Sequence, residues 1–191
     1  GATAAKGVVA GDTVRVMGST DPTLVDSTGA VWTQYSRTVT LSASVTQMIA
    51  DGETAWTAAS GDVTTTTNTS IFKENIKSAS IAFATPFTTG IAAYFATGTL
   101  NLSGYQQVSF WIRSSLAVSN NTLSLRLCSD VAGVTTVDTI VIPALPQAGG
   151  AMSAITIDLG AALGSSIKSI ALYADLVPGA TTLLLDDIIS C

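Results

Sequence analysis

The feature that most constrains this chain is a succession of short segments in which apolar and polar residues alternate, separated by turn residues. In segment 122–128, Leu123, Leu125 and Leu127 fall on one face and Ser124, Arg126 and Cys128 on the other. A period of two is the signature of a strand whose two faces meet different environments. The same reading applies to 78–83, 107–113, 138–142, 154–159, 166–173 and 181–189, and 90–95 is more continuously apolar. Gly, Pro and Asn-Asn interrupt them at short intervals. Residues 100–105 read as a turn-rich connection. Apolar spacing of helical type is scarce; 44–50 is the best short helical candidate. Eight or nine strands with turns between them predict an all-β chain, a jelly-roll β-sandwich, rather than alternating helices and strands.

Residues 1–50 read as a small β-rich N-terminal arm or subdomain and 51–191 as the sandwich. Segments 12–17, 31–33 and 37–41 are strand-like, with turn signals at Asp21-Pro22 and Ser27-Thr28-Gly29. Three short strands bury little apolar area, so this arm is expected to lean on the main domain or on another subunit. The chain starts Gly-Ala-Thr with neither an initiator Met nor a leader, which suggests a processed N-terminus. The Thr64–Thr67 run with Asn68-Thr69-Ser70 reads as an exposed polar loop or a strand edge.

Charge narrows the function classes. Only 11% of residues are charged and the net charge is −5, against a usual charged fraction of about 25%. The surface is therefore coated mainly by Ser, Thr, Asn, Gln and Gly, as suits a protein outside a cell or packed against its own copies. The eight cations are scattered, so no basic stripe is available for nucleic acid. No run reaches the roughly 18 apolar residues of a membrane-spanning helix, so membrane insertion is not expected. The chain has no histidine, which removes the commonest general base and any His-paired Ser or Cys nucleophile. Only two glutamates are present, no Gly-x-Ser-x-Gly elbow, and no Gly-rich phosphate loop. A non-enzymatic protein is expected.

Three groups of residues are candidate sites. Asp186-Asp187 interrupts a strongly apolar strand, and a buried carboxylate needs an amide, a cationic side chain or a metal as partner. Ca²⁺ favours carboxylates and carbonyls, and the Asp51-Gly52-Glu53 segment offers a further ligand if the two ends of the domain are neighbours. The competing reading leaves one Asp solvated and the other capping a turn or paired with a cation. Trp56, Phe110, Trp111, Tyr94 and Tyr173 are candidates for a sugar-stacking platform, with Trp111 and Tyr105 preferred as carbohydrate-binding residues; core packing is the competing explanation. Cys128 and Cys191 both follow strand-like segments and can be bridged only if their Cα atoms come close. The alternative is a buried free thiol at 128 and an incidental one at 191.

From about Asp51 onward the chain resembles the galactose-binding-like and carbohydrate-binding-module class of jelly rolls. The likeness rests on Asp51-Gly-Glu-Thr-Ala-Trp56, on residues 72–81 and 100–113, on Ile167-Lys-Ser-Ile-Ala-Leu172 and on Leu185-Asp-Asp-Ile188. It implies a structural calcium held by the early acid and the late Asp, by position Glu53 with Asp186 or Asp187. The Lys-Glu-Gly turn usual in that class reads Lys73-Glu74-Asn75 here, and Asn also tolerates left-handed backbone angles. Residues 11–23 and 30–33 look similar to segments of tailed-bacteriophage structural proteins. The resemblances together imply a structural or interaction protein of a virus particle, in capsid decoration, a fibre or a tail. Such a protein would self-associate as a homo-oligomer or dock on other virion proteins through its arm, at the virion surface or otherwise outside a cell. The alternative they imply is a secreted carbohydrate-binding module of an extracellular enzyme or adhesin, with a cell-surface glycan as partner.

Overall fold

Within residues 46–191 the alternating segments that the structure describes become strands. The computed structural model describes residues 13–16, 37–40, 46–146 and 151–191. The chain divides into two compact units, Gly1–Val45 and Thr46–Cys191. In the first, the described residues are two strands, β1 (Thr13–Val16) and β2 (Arg37–Thr40), paired antiparallel. The other N-terminal expectations, 31–33 and the turns around Asp21 and Ser27, lie outside the described residues.

The second unit is an all-β sandwich of two antiparallel sheets, with no helix among its described residues. Its strands are β3 (Gln47–Ala50), β4 (Thr57–Ala58), β5 (Val63–Asn68), β6 (Ser78–Phe83), β7 (Gly90–Leu100), β8 (Gln107–Ser114), β9 (Leu123–Cys128), β10 (Thr136–Val141), β11 (Ser153–Asp158), β12 (Ile167–Ala174) and β13 (Thr182–Ser190). One sheet has the order β10-β9-β12-β7-β4. The other runs β11-β8-β13-β6-β5, with β3 also paired to β13. Apart from the neighbouring pairs β5–β6 and β9–β10, successive strands cross from one sheet to the other, as a jelly roll requires.

The interior follows from parity. Leu123, Leu125 and Leu127 of β9, Ile170 and Leu172 of β12, Val108, Phe110 and Ile112 of β8, and Leu183 and Leu185 of β13 are all buried in one core cluster. Each such side chain contributes about 1.5–3 kcal/mol relative to exposure. Trp56 belongs to this core, tilted against Phe95 at 6.3 Å between ring centroids.

One expectation changes. The described part of the 44–50 segment is not helical: Gln47–Ala50 is a strand, and its backbone pairs with Ile188, Ile189 and Ser190. Ile49 and Ala50 are buried in the sandwich core, so this segment goes with the second unit, which starts at Thr46. The threonine run is the edge strand β5, the second of the two readings that its composition allowed.

Candidate functional site

Two of the acidic residues expected to bind a cation, Asp186 and Asp187, sit where β13 is bulged. Asp186 is the partner of Trp111 on β8, and the next pairing is Ile189 with Ser109. Three steps on one strand answer two on the other, so β13 carries one extra residue. Asp187 is that residue, with φ at +45°, a conformation that Asp tolerates better than most. The bulge breaks strict alternation. Leu185 and Ile188 both enter the core, while Asp186 shares the outer face of the sheet with Trp111.

Asp186 is nonetheless completely buried, because the turn between β5 and β6 lies across it. Its Oδ2 accepts hydrogen bonds from the amides of Lys73 (2.7 Å) and Glu74 (3.1 Å). Glu53 acts in parallel: its Oε1 accepts from the amides of Ile76 (3.0 Å) and Lys77 (2.8 Å). Two carboxylates from opposite ends of the sandwich sequence thus clamp one turn, and Asn75 at its tip takes φ +54°. Asp187 does not join the clamp. Burial, then Glu74 and Asp186, push its carboxyl above the ordinary range.

The clamp leaves one atom unexplained. Oδ1 of Asp186 is buried without a hydrogen-bond partner. A carboxylate oxygen so placed is costly unless something positive meets it, so this donor fits a cation. Gly52 lies directly alongside: an ideal Cβ there would stand 2.6 Å from Oδ1 and 3.3 Å from the Leu185 carbonyl oxygen. Among the described residues no three Asp, Glu, His or Cys side chains converge on one point. A cation would therefore take much of its coordination from backbone carbonyls, which Ca²⁺ accepts.

The aromatic candidates separate. Trp111 is half-buried on the outer face of the six-stranded sheet, with Lys73 Nζ 4.6 Å from its ring centroid. Tyr105, in the connection from β7 to β8, packs partly against the core, so the two do not share a face. The cysteines separate too. Cys128 ends β9 in one sheet, Cys191 follows β13 in the other, and both are free. The bridge considered from sequence does not form.

A second cluster lies on the outer face of the five-stranded sheet. Register places Ser124 opposite Tyr173, and Arg126 opposite Ala171, which in turn faces Tyr94. The Arg126 guanidinium stacks on the Tyr173 ring, 3.3 Å from its centroid. It also meets Asp175, Nη2 to Oδ1, at 2.7 Å. Ser124 Oγ donates to the other Asp175 oxygen at 2.7 Å. Tyr94 and Tyr173 were among the aromatics singled out by sequence, and alternation had put Arg126 on the polar face of its strand. Asp175, just past the end of β12, carried no sequence signal.

No family model matches the chain, and no curated protein matches it in sequence. Its likeness to solved structures is one of fold. The solution structure of CtCBM11 superposes with a TM-score of 0.55 at 15% identity, covering 78% of this chain and 97% of that one. A crystal structure of a family 30 carbohydrate-binding module gives 0.53 at 13%, covering 77% and 98%. The family 11 module from Clostridium thermocellum, in complex with a β-1,3-1,4-mixed-linked tetrasaccharide, gives 0.51 at 14%, covering 76% and 94%. The expected carbohydrate-binding-module type of jelly roll is thus shared with these structures.

Proposed function

We propose that residues 46–191 are a non-catalytic carbohydrate-binding module that works outside a cell and takes its glycan on the outer face of the five-stranded sheet. The observation that carries this is the Arg126–Tyr173–Asp175–Ser124 cluster. It sets a guanidinium stacked on an aromatic ring beside a partly exposed carboxylate on an outward face, with Ser124 buried and fixing that carboxylate from behind. A sugar uses such groups: hydroxyls pair with guanidinium donors and carboxylate acceptors, and C–H faces pack on the flat surface that the stacked guanidinium and ring present. The fold shared with carbohydrate-binding modules supports the reading, as does a sequence without histidine. A structural Ca²⁺ belongs to the same proposal, held by Asp186 Oδ1 with the Glu53 carboxylate and neighbouring carbonyls. It would neutralise the buried charge and fasten the 71–77 turn, with no part in any reaction.

The test is a glycan array followed by calorimetry with soluble oligosaccharides, the β-1,3-1,4-mixed-linked tetrasaccharide among them. Binding that is lost in Arg126→Ala and Asp175→Ala, both folded, is the expected result. Absence of any glycan binding sinks the reading.

A second reading makes the chain a virion-surface protein that carries this module and self-associates, or docks on other virion proteins, through its N-terminal unit. Its support is the sequence resemblance read in residues 11–23 and 30–33 alone, since no family model and no curated protein matches the chain. A strict monomer in light scattering at high concentration would remove its basis.

A further inference from the structure

The loop between β9 and β10, residues 129–135, folds back over the outer face of the five-stranded sheet. Three observations place it there. Ser169 Oγ donates to the Asp130 carbonyl oxygen at 2.6 Å. An ideal Cβ on Gly133 would come within 2.8 Å of Ala171 Cβ and 3.0 Å of Tyr94 Cβ, so this backbone rests on β12 and β7. Cys128, Ser169 and Ala171 are completely buried, although alternation turns them away from the core that Leu127, Ile170 and Leu172 fill.

The loop is held from within. The Asp130 carboxylate accepts hydrogen bonds from the amides of Ala132 (2.8 Å), Val134 (3.1 Å) and Thr135. Chiefly through the Thr135 amide, its carboxyl is lowered to about 2. The Ser129 amide bonds the Thr135 carbonyl oxygen at 3.0 Å and closes the base. Gly133, at φ +75° and with no room for a Cβ, is a position only glycine fills without displacement.

We propose that this loop is a fixed wall that sets how much glycan the site takes, an inference that rests on the glycan reading above. It closes the Cys128–Ser169 row and the centre of the Arg126–Ala171–Tyr94 row. The open floor is then confined to the cross-strand row around Tyr173, with Arg126 and Asp175 beside it. The loop reaches from β9 to β7, two inter-strand steps or about 10 Å of sheet. The ligand is accordingly a short stretch of one glycan chain, and sugar units beyond it meet the wall instead of the sheet. Val131 and Val134, exposed by 61% and 68%, give that wall an apolar surface.

The experiment compares the full chain with a form in which residues 129–135 are replaced by an Asn-Gly turn, and with Asp130→Asn, which keeps the loop but loosens it. All three carry Cys191→Ser, so that reaction of Cys128 with a thiol reagent reports whether the wall has lifted. Affinity is measured along ladders of β-linked gluco-, xylo- and manno-oligosaccharides of increasing length. The unaltered loop should give affinity that stops rising after the first few units. A variant with reactive Cys128 should keep rising and gain roughly tenfold on the longest oligosaccharide, about 1.4 kcal/mol, with the shortest binder unchanged. An unchanged length dependence in a variant whose Cys128 has become reactive overturns this inference and leaves the glycan reading standing. Absence of binding by every form overturns the glycan reading and this inference with it.

Discussion

Replacing Asp186 by Asn separates a cation site from a simple amide clamp, because the two differ in the response to calcium. Asn keeps the shape of Asp. Its carbonyl oxygen can take the two amides that Oδ2 now accepts at 2.7 and 3.1 Å, and its NH₂ replaces the unpartnered Oδ1. Each amide bond to a charged acceptor contributes about 1.5–3 kcal/mol, against about 0.5–1.5 for a neutral one. The NH₂ that takes the place of Oδ1 is itself a buried polar group without a partner, so nothing is recovered there beyond the relief of burying a full charge. In chelator Asp186→Asn should therefore lie about 2–3 kcal/mol below wild type. Calcium widens the gap. At a hundredfold excess over its Kd, a ligand of the native state adds about 2.7 kcal/mol. At about 2–4 °C per kcal/mol for a domain of this size, wild type should melt roughly 5–11 °C higher with calcium than with chelator. The variant should not respond. Mg²⁺ should do less, since it gives up its water reluctantly. Calorimetry of both proteins with EGTA and with millimolar CaCl₂ reads all of this directly. Equal melting temperatures for wild type in the two buffers, or an equal calcium shift in the variant, would refute the reasoning.

Other expectations follow from the same geometry. Gly52→Ala places a methyl 2.6 Å from Asp186 Oδ1 at φ +77°; the left-handed backbone alone costs about 1–2 kcal/mol, so the melting temperature should fall by several degrees and any calcium response should weaken. Arg126→Ala removes a partly exposed ion pair worth about 0–1 kcal/mol and the stacking on Tyr173, about 0.5–1 kcal/mol, so stability in chemical denaturation should fall by no more than about 2 kcal/mol while glycan affinity drops at least tenfold, about 1.4 kcal/mol. Asp130 is held at about 2 against an ordinary 3.8, so its ionised form stabilises the fold above the ordinary value, and that contribution disappears as pH falls through about 2. Asp130→Asn should therefore be less stable than wild type at neutral pH and converge with it near pH 2, as denaturation midpoints across the range will show.

Period-two alternation was enough to find most of the sandwich, because a strand with one face in the core writes its burial into its own sequence. Leu123, Leu125 and Leu127 are the clearest case. The signal weakened where a strand is short or one-sided in composition. Gln47–Ala50 alternates in neither polarity nor size, and its assignment depends on a partner strand at the far end of the domain. Alternation also misleads at a bulge. From Leu185 onward the extra residue Asp187 shifts the parity, so the rule that adjacent acids face opposite ways cannot say which of them is buried. The carboxylates were nevertheless legible as a pair of interest, because an acid within an apolar strand needs a partner, and Glu53 and Asp186 do meet at one turn. The outer face of the five-stranded sheet was legible only in part. Alternation placed Arg126 away from the core, and Tyr173 was visible as an aromatic, but their meeting depends on a register between strands about forty residues apart. No local pattern records that register. Nor does any local pattern say that a loop will lie down on a sheet. The glycine that lets it do so, Gly133, reads in sequence like any other turn residue, and its role emerges only from the two side chains it touches.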